Sequence, residues 1–298
     1  MIAKFKETTV FYTDTGKGNC VVLLHGFLEN STMWNAVVEE LSKKNRVICI
    51  DLLGHGKTGC VGYIHTMDEM AEAVKSVLRE LKSRRAMFIG HSMGGYVALA
   101  FAEKYSKNVK GICLMNSTAQ ADGEERKKLR VRANEMAKEN YETLVKMSIS
   151  NLFAENMRLQ VSKEIEKIRD EALKTPVRGY IAGTEGMRLR KNKEATLQTI
   201  EKRLIIAGKN DPILNYTTVE EEAKNTNTSL IGLPNGHMSH VEAKEELLKA
   251  LTTSQKYRYE ADSSLTYHDD KNDITVSIIH IEDRKMQNTY FQVRMDIT

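Results

Sequence analysis

Residues 86–104 read Ala86-Met-Phe-Ile-Gly90-His91-Ser92-Met93-Gly94-Gly95, then Tyr96-Val-Ala-Leu-Ala-Phe-Ala-Glu-Lys104. Ala86–Gly90 is a short apolar block closed by glycine, the pattern of a buried strand. Tyr96–Lys104 is a helical run. Between them Gly90-His91-Ser92-Met93-Gly94 matches G-x-S-x-G in the strand–turn–helix context that gives the pattern its meaning. So tight a turn has no room for Cβ atoms two positions either side of the serine, and Gly90 and Gly94 meet that demand. The spacing predicts that Ser92 Oγ stands clear of the sheet, at a helix N-terminus that favours developing negative charge.

Working outward, Val21–Gly26, Arg46–Asp51 and Lys110–Asn116 also read as buried strands. Ser31–Lys43 and Met67–Lys82 lie between them with helical spacing, and Thr66 with Glu69 forms a capping box for the second. Such alternation predicts an α/β fold: a mostly parallel sheet with helices on both faces. Met1–Thr13 reads as strand and lacks the apolar core of a signal peptide. Residues 117–194 have no clear strand and are rich in Lys, Glu, Arg, Ala and Met, which predicts several amphipathic helices. The alternation returns with Arg203–Gly208, a helix near 216–225, Thr228–Pro234 and a helix near 240–251. The sheet needs those later strands, so 117–194 is an insertion between core segments 1–116 and 195–252. Residues 253–298 differ again. Segments 256–261, 264–268, 273–281 and 289–297 alternate with period two and predict antiparallel hairpins, a β-rich C-terminal extension. Such a piece must pack on the main domain, pair with another chain or be loosely ordered, and a homo-oligomer formed through it is one expectation.

Composition narrows the function. Of 298 residues, 41% are apolar and 28% charged, a globular balance. Lys+Arg minus Asp+Glu is 44 − 40 = +4, too small a surplus to argue for nucleic acid. With no run of 18 apolar residues, no membrane span is expected. Cys20, Cys49, Cys60 and Cys113 have no metal or redox spacing, which fits a reduced, cytoplasmic setting. No metal or cofactor is expected.

The elbow, His25-Gly26-Phe27 after the first buried strand, and Asp51-Leu-Leu-Gly54-His55-Gly56 together resemble the α/β-hydrolase superfamily, in its serine-nucleophile branch with a helical cap, over roughly residues 5–252. That family usually carries proline where this chain has Leu53, a matter of backbone stiffness only. The resemblance implies an order Ser…Asp/Glu…His. Asp211, past the strand Arg203–Gly208 and stiffened by Pro212, resembles the acid. His237, after the strand Thr228–Pro234, resembles the base, with Glu242 in its usual partner pattern. His240 is a rival to His237, and Asp211 could be a plain turn aspartate. The other acid position used in the family holds Asn116 and Ser117, which do not ionise at neutral pH. The backbone N–H groups of Phe27 and Met93 are the implied oxyanion donors. His25 reads as structural, and His55 and His91 as loop scaffolding.

The resemblance makes 117–194 a cap over the nucleophile. Trp34, Leu152, Phe153 and Met157 are candidates to line the substrate pocket; Met136, Met147, Met157 and Met187 are expected mostly to pack the cap on the core. Arg126–Arg132 and Arg188–Lys193 are basic runs, read as solvated faces or as a dock for an acidic acyl-carrier protein. Serine rather than aspartate at the elbow excludes the alkyl-ester route of haloalkane dehalogenases and epoxide hydrolases. The implied activity is cofactor-free hydrolysis of a small or medium carboxylic ester or thioester through an acyl-serine. Lactonase, lipase, C–C hydrolase and side perhydrolysis remain open. A different class is a small-ligand sensor that keeps the triad and signals through a protein partner.

Overall fold

The strand-like blocks lie side by side in one eight-stranded sheet in a computed structural model that describes residues 1–256, 265–269, 274–283 and 288–297. The strands are β1 (Ile2–Phe5), β2 (Thr8–Thr15), β3 (Asn19–Leu24), β4 (Asn45–Ile50), β5 (Ala86–His91), β6 (Val109–Met115), β7 (Arg203–Gly208) and β8 (Ser229–Leu233). Their order across the sheet is β1-β2-β4-β3-β5-β6-β7-β8. The six from β4 to β8 pair in parallel, and β1 and β2 are added antiparallel at one edge. The sequence pattern predicts one strand over Met1–Thr13. The structure folds it into two, because Lys6 takes a positive φ of 48° and turns the chain.

Helices cross between parallel strands as the alternation requires: α1 (Asn35–Leu41), α2 (Met67–Glu80) and α3 (Met93–Lys104) in the first half. Ser31–Trp34, predicted as part of α1, is a 3-10 turn capped by the Asn30 side chain. In α2 the Thr66 hydroxyl caps Glu69 N–H at 3.1 Å, the predicted N-cap contact. All side chains of α3 from Met93 to Ala102 are buried, so this helix is apolar all round and sits inside the core. No described helix is long and apolar enough to cross a membrane.

The chain leaves β3 toward β4 on one side and then crosses to β5 on the other, with Leu24 opposite Gly90 in the β3–β5 register. That reversal of winding puts a topological switch point at the carboxyl ends of β3 and β5, where α/β sheets place ligands. The turn after β3 holds Phe27 and the turn after β5 holds Ser92.

Between β6 and β7 run α4 (Glu124–Glu139), α5 (Tyr141–Ser150), α6 (Ser162–Ala172), α7 (Val177–Arg188) and α8 (Glu194–Gln198). They bury their own cluster, including Leu144, Val145, Ile149, Phe153 and Tyr180. Of the four methionines expected to pack there, Met187 is buried, but Met136 and Met147 are 46% and 56% exposed. The helices bury only narrow stripes, and these two fall outside them. After β7 come α9 (Tyr216–Asn225), then β8 and two helices, α10 (Ser239–Glu242) and α11 (Lys244–Lys256), where the sequence suggests one. Separately, β9 (Leu265–Asp269), β10 (Ile274–Asp283) and β11 (Asn288–Ile297) form a three-stranded antiparallel sheet in a second unit, 250–298. The segment expected over 256–261 lies outside the described residues apart from Lys256 at the end of α11.

What seats the helical insertion is a glycine row on α7. A Cβ on Gly179 would stand 2.3 Å from Gly54 O, and one on Gly186 1.7 Å from His65 O. His65 N–H also donates to Ala182 O at 3.0 Å. Adding a methyl group must therefore push α7 off the core loops, an overpacking cost of about 1–3 kcal/mol. Gly186→Ala is expected to lower Tm by roughly 3–10 °C, measured by calorimetry; an unchanged Tm contradicts this close approach.

Candidate active site

Ser92 terminates β5 with φ 47° and ψ −114°, a strained conformation for a residue with a side chain. The glycines around it are required by space. A Cβ on Gly90 would lie 2.4 Å from the Gly94 carbonyl, and one on Gly94 2.1 Å from Leu24 O. The strained backbone is held by Ser92 N–H to Met115 O at 2.9 Å and by Ser117 Oγ–H to Ser92 O at 2.7 Å. Ser92 is only partly buried.

Asp211 sits in the turn after β7. Its Oδ1 accepts from Ile213 N–H (2.8 Å) and Leu214 N–H (3.0 Å). Its Oδ2 accepts from His237 Nδ1 (2.7 Å) and Asn116 Nδ2 (3.1 Å). Burial alone would raise the Asp211 pKa; the His237 ring and these donors outweigh it and hold the carboxyl below its ordinary value. An ionised carboxylate only accepts, so His237 carries its proton on Nδ1, which leaves the Nε2 lone pair for proton transfer. Among the described residues neither Ser92 Oγ nor His237 Nε2 has a hydrogen-bond partner, so the bond between them is open in this form.

The His237 loop is built around Glu242. Its buried carboxylate accepts from Met238 N–H (3.0 Å), Ala154 N–H (3.0 Å) and Gly236 N–H (3.3 Å). Asn116 adds a donation to Gly236 O at 3.1 Å and accepts from Ser239 Oγ at 2.6 Å. His237 N–H donates to Leu152 O at 3.2 Å, which joins the loop to the helical insertion. Sequence reading sets Asn116 and Ser117 aside as non-acids; the structure gives them work as donors to the acid's carboxylate and to the elbow. The available signal was their place at the end of β6, beside the elbow in the sheet.

Phe27 N–H and Met93 N–H donate to no group among the described residues. The Phe27 ring is wedged edge-on against Tyr180 (4.9 Å) and His55 (5.5 Å), so this turn contacts both the sheet domain and the insertion. His25 bonds backbone through both ring nitrogens, Nδ1 to Gly26 O at 2.7 Å and Nε2 from Leu52 N–H at 2.8 Å, the structural role expected of it. Asp51 accepts from Ser31 N–H and Lys57 N–H and so shapes its loop. Of the four pocket candidates, Trp34 and Phe153 are fully buried. Leu152 and Met157 are partly buried, and Leu152 reaches the site through its carbonyl. The basic runs are also partly spent. Lys127, Lys128 and Arg188 pair with Glu124, Glu125 and Glu185, while Arg130 and Arg190 both pair with buried Asp122.

His240 does not compete for Asp211. Its Nε2 lies 3.6 Å from Glu29 Oε1, and Glu29 Oε2 lies 2.6 Å from His91 Nδ1. These three residues place one ligand atom each within 4.8 Å, a donor set of the kind that binds metal. Two ligands of one tetrahedral zinc sit about 3.3 Å apart, given metal–ligand bonds of about 2.0–2.1 Å. The 2.6 Å contact is instead a hydrogen bond.

Burial lowers the pKa of His55 to about 3 and of His240 to about 4. Unfolding returns both to about 6.5, so below that pH the unfolded chain binds more protons and stability falls toward those values. Tm is expected to be lower at pH 5 than at pH 7, with a smaller drop in His240→Gln; equal drops contradict a buried neutral His240. Glu242→Ala leaves three buried N–H groups unpaired at about 1–3 kcal/mol each. It should lower Tm sharply and disorder the His237 loop, visible as faster amide exchange across residues 235–243.

Comparison with known proteins follows the same lines. The family model described as alpha/beta hydrolase fold matches residues 19–244. A thermophilic esterase from Thermogutta terrifontis superposes with a TM-score of 0.80 at 30% identity, over 86% of this chain and 96% of that one. The enol-lactonase of Burkholderia xenovorans LB400 also scores 0.80, at 22% identity over 86% of this chain and all of its own, a likeness of fold alone. A pimeloyl-[acyl-carrier protein] methyl ester esterase from Yersinia enterocolitica is 30% identical over 110 residues, 37% of this chain and 41% of that protein. The chain spans less than half the length of the curated relatives it matches.

Proposed function

The chain belongs to the alpha/beta hydrolase fold family, and from that premise we propose that it is a serine hydrolase of carboxylic esters. Ser92 Oγ attacks the ester carbonyl while His237 Nε2 takes its proton. Asp211 holds the ring by Nδ1–H and balances the imidazolium that forms. The negative oxygen of the tetrahedral intermediate is met by Phe27 N–H and Met93 N–H. Collapse expels the alcohol, protonated by His237, and leaves an acyl-Ser92 ester. Water then attacks with His237 again as base, and the acid leaves with Ser92 restored. This chemistry needs no metal or cofactor.

The observation that carries the reading is the 2.7 Å His237–Asp211 hydrogen bond, on a loop tied to the elbow by His91 Nε2–H to His237 O at 3.0 Å. We take residues 117–194 as the cap over this site; the bond from His237 N–H to Leu152 O supports that. The esterase neighbour from Thermogutta terrifontis supports the ester as substrate. The relation to pimeloyl-[acyl-carrier protein] methyl ester esterases supports a carrier-bound acyl ester as one form of it.

A panel of p-nitrophenyl esters of rising chain length tests the reading. Ser92→Ala is expected to lose about 10³-fold or more in kcat, and the chain-length profile sizes the acyl site. Retained turnover in the alanine variant overturns the mechanism. For carrier docking the variant is Lys127→Glu with Lys128→Glu, since Arg130 is committed to Asp122. It should slow a carrier-bound ester several-fold and spare a soluble one; equal rates remove the dock.

A further inference from the structure

Directly beneath the elbow lies a buried ionic pair that the proposed mechanism does not use. Glu29 is 6% exposed and His91 1%. Glu29 Oε2 accepts from Gly26 N–H at 2.7 Å and meets His91 Nδ1 at 2.6 Å. His91 Nε2 lies 3.0 Å from His237 O, a carbonyl that can only accept, so Nε2 carries hydrogen. The bonds form one chain: Gly26 N–H to Glu29, Glu29 to His91, His91 to the His237 carbonyl. Its ends belong to the turn that bears Phe27 N–H and to the loop that bears His237, and its middle is the residue before Ser92.

We propose that Glu29 and His91 are positioning residues, a carboxylate–imidazolium brace that holds the oxyanion turn, the nucleophile elbow and the base loop in mutual register. The proposal rests on the serine-hydrolase reading of the site. The protonation state follows from geometry. Glu29 Oε2 already accepts the Gly26 N–H, so the short contact to His91 is best made with the proton on Nδ1. Both ring nitrogens then donate, and the ring is cationic. Burial alone would lower the His91 pKa, but the adjacent carboxylate overrides it and raises it. Burial alone would raise that of Glu29, yet the facing histidines bring it to about 2. The groups facing the pair are His25, His237, His240 and Asp211. A buried pair of this kind is a poor source of net stability, because desolvation offsets its attraction. Its recognisable product is geometry, and it is placed where about 1 Å of misalignment costs roughly 10²-fold in rate.

Glutamine at position 29 separates bonding from bulk. Both contacts fall on one atom, Oε2, where a glutamine presents either an oxygen or an NH2 group, so Glu29→Gln keeps the bulk but cannot complete the chain with a neutral His91. On p-nitrophenyl acetate, Glu29→Ala is expected to lower kcat about 30–100-fold with KM within about threefold, and Glu29→Gln, which keeps the bulk, to recover little of that loss. A folded Glu29→Ala protein with wild-type kcat, or a glutamine variant with wild-type kcat, overturns the brace. Nitrogen-15 spectra of the histidine rings decide the pair independently of turnover. His91, assigned by its loss in His91→Gln, should have both nitrogens protonated at pH 7 in wild type and in Ser92→Ala, and one in Glu29→Gln. A neutral His91 in the wild type overturns the pair even if Glu29→Ala fails to fold. A wild-type protein inert to every ester sinks the hydrolase reading alone, since the ring spectra still judge the pair.

Discussion

Everything at the candidate site depends on how closely α3 approaches the carboxyl end of β3. A single Cβ on Gly94 would come within 2.1 Å of Leu24 O, so the helix starts against bare backbone. That approach forces the sharp reversal after β5 and puts Ser92 at φ 47°. Strain of this kind costs on the order of 1–3 kcal/mol and persists only where the surroundings over-determine it. Here they do: the β6 ladder, the Ser117 hydroxyl and the buried α3 all fix the same few atoms.

The second constraint is the meeting of chain segments far apart in sequence. Asp211 and His237 follow β7 and β8, on the far side of a helical insertion, and come together near the elbow because the sheet lays β6, β7 and β8 in order outward from β5. Two buried carboxylates finish the alignment. Glu242 gathers three N–H groups around the His237 loop, and Glu29 reaches the elbow through His91. Each lies in a dry interior, where an unmade hydrogen bond is costly, so each accepts only a narrow range of geometry.

Much of this was legible in the residues. The parallel strands and the elbow turn rest on local signals, short apolar blocks and glycines at fixed spacing, whereas Asp211 and His237 are picked out by the resemblance to the hydrolase superfamily, and the structure brings those two side chains into contact. What stayed hidden depends on tertiary packing. Asn116 reads as a failed acid until β6 is seen to lay it beside Asp211. Glu29 has no motif, and its partner His91 is 62 residues away. The glycine row of α7 reads as weak helix until Gly54 and His65 are seen pressed against it. Trp34 and Phe153, named as pocket candidates from their places after the His25-Gly26-Phe27 turn and in the helical insertion, are fully buried. The basic runs are in part offset, because acids on the neighbouring helical turn or on the loop before α4 stand against several of their members.

Covalent labelling reads the central claim most directly. The protein is treated with a fluorophosphonate, digested and analysed by peptide mass, in wild type and in His237→Ala. The account predicts one adduct, on Ser92, formed at least a hundredfold more slowly without the His237 imidazole. An adduct on another residue, or Ser92 labelling indifferent to His237, would contradict it.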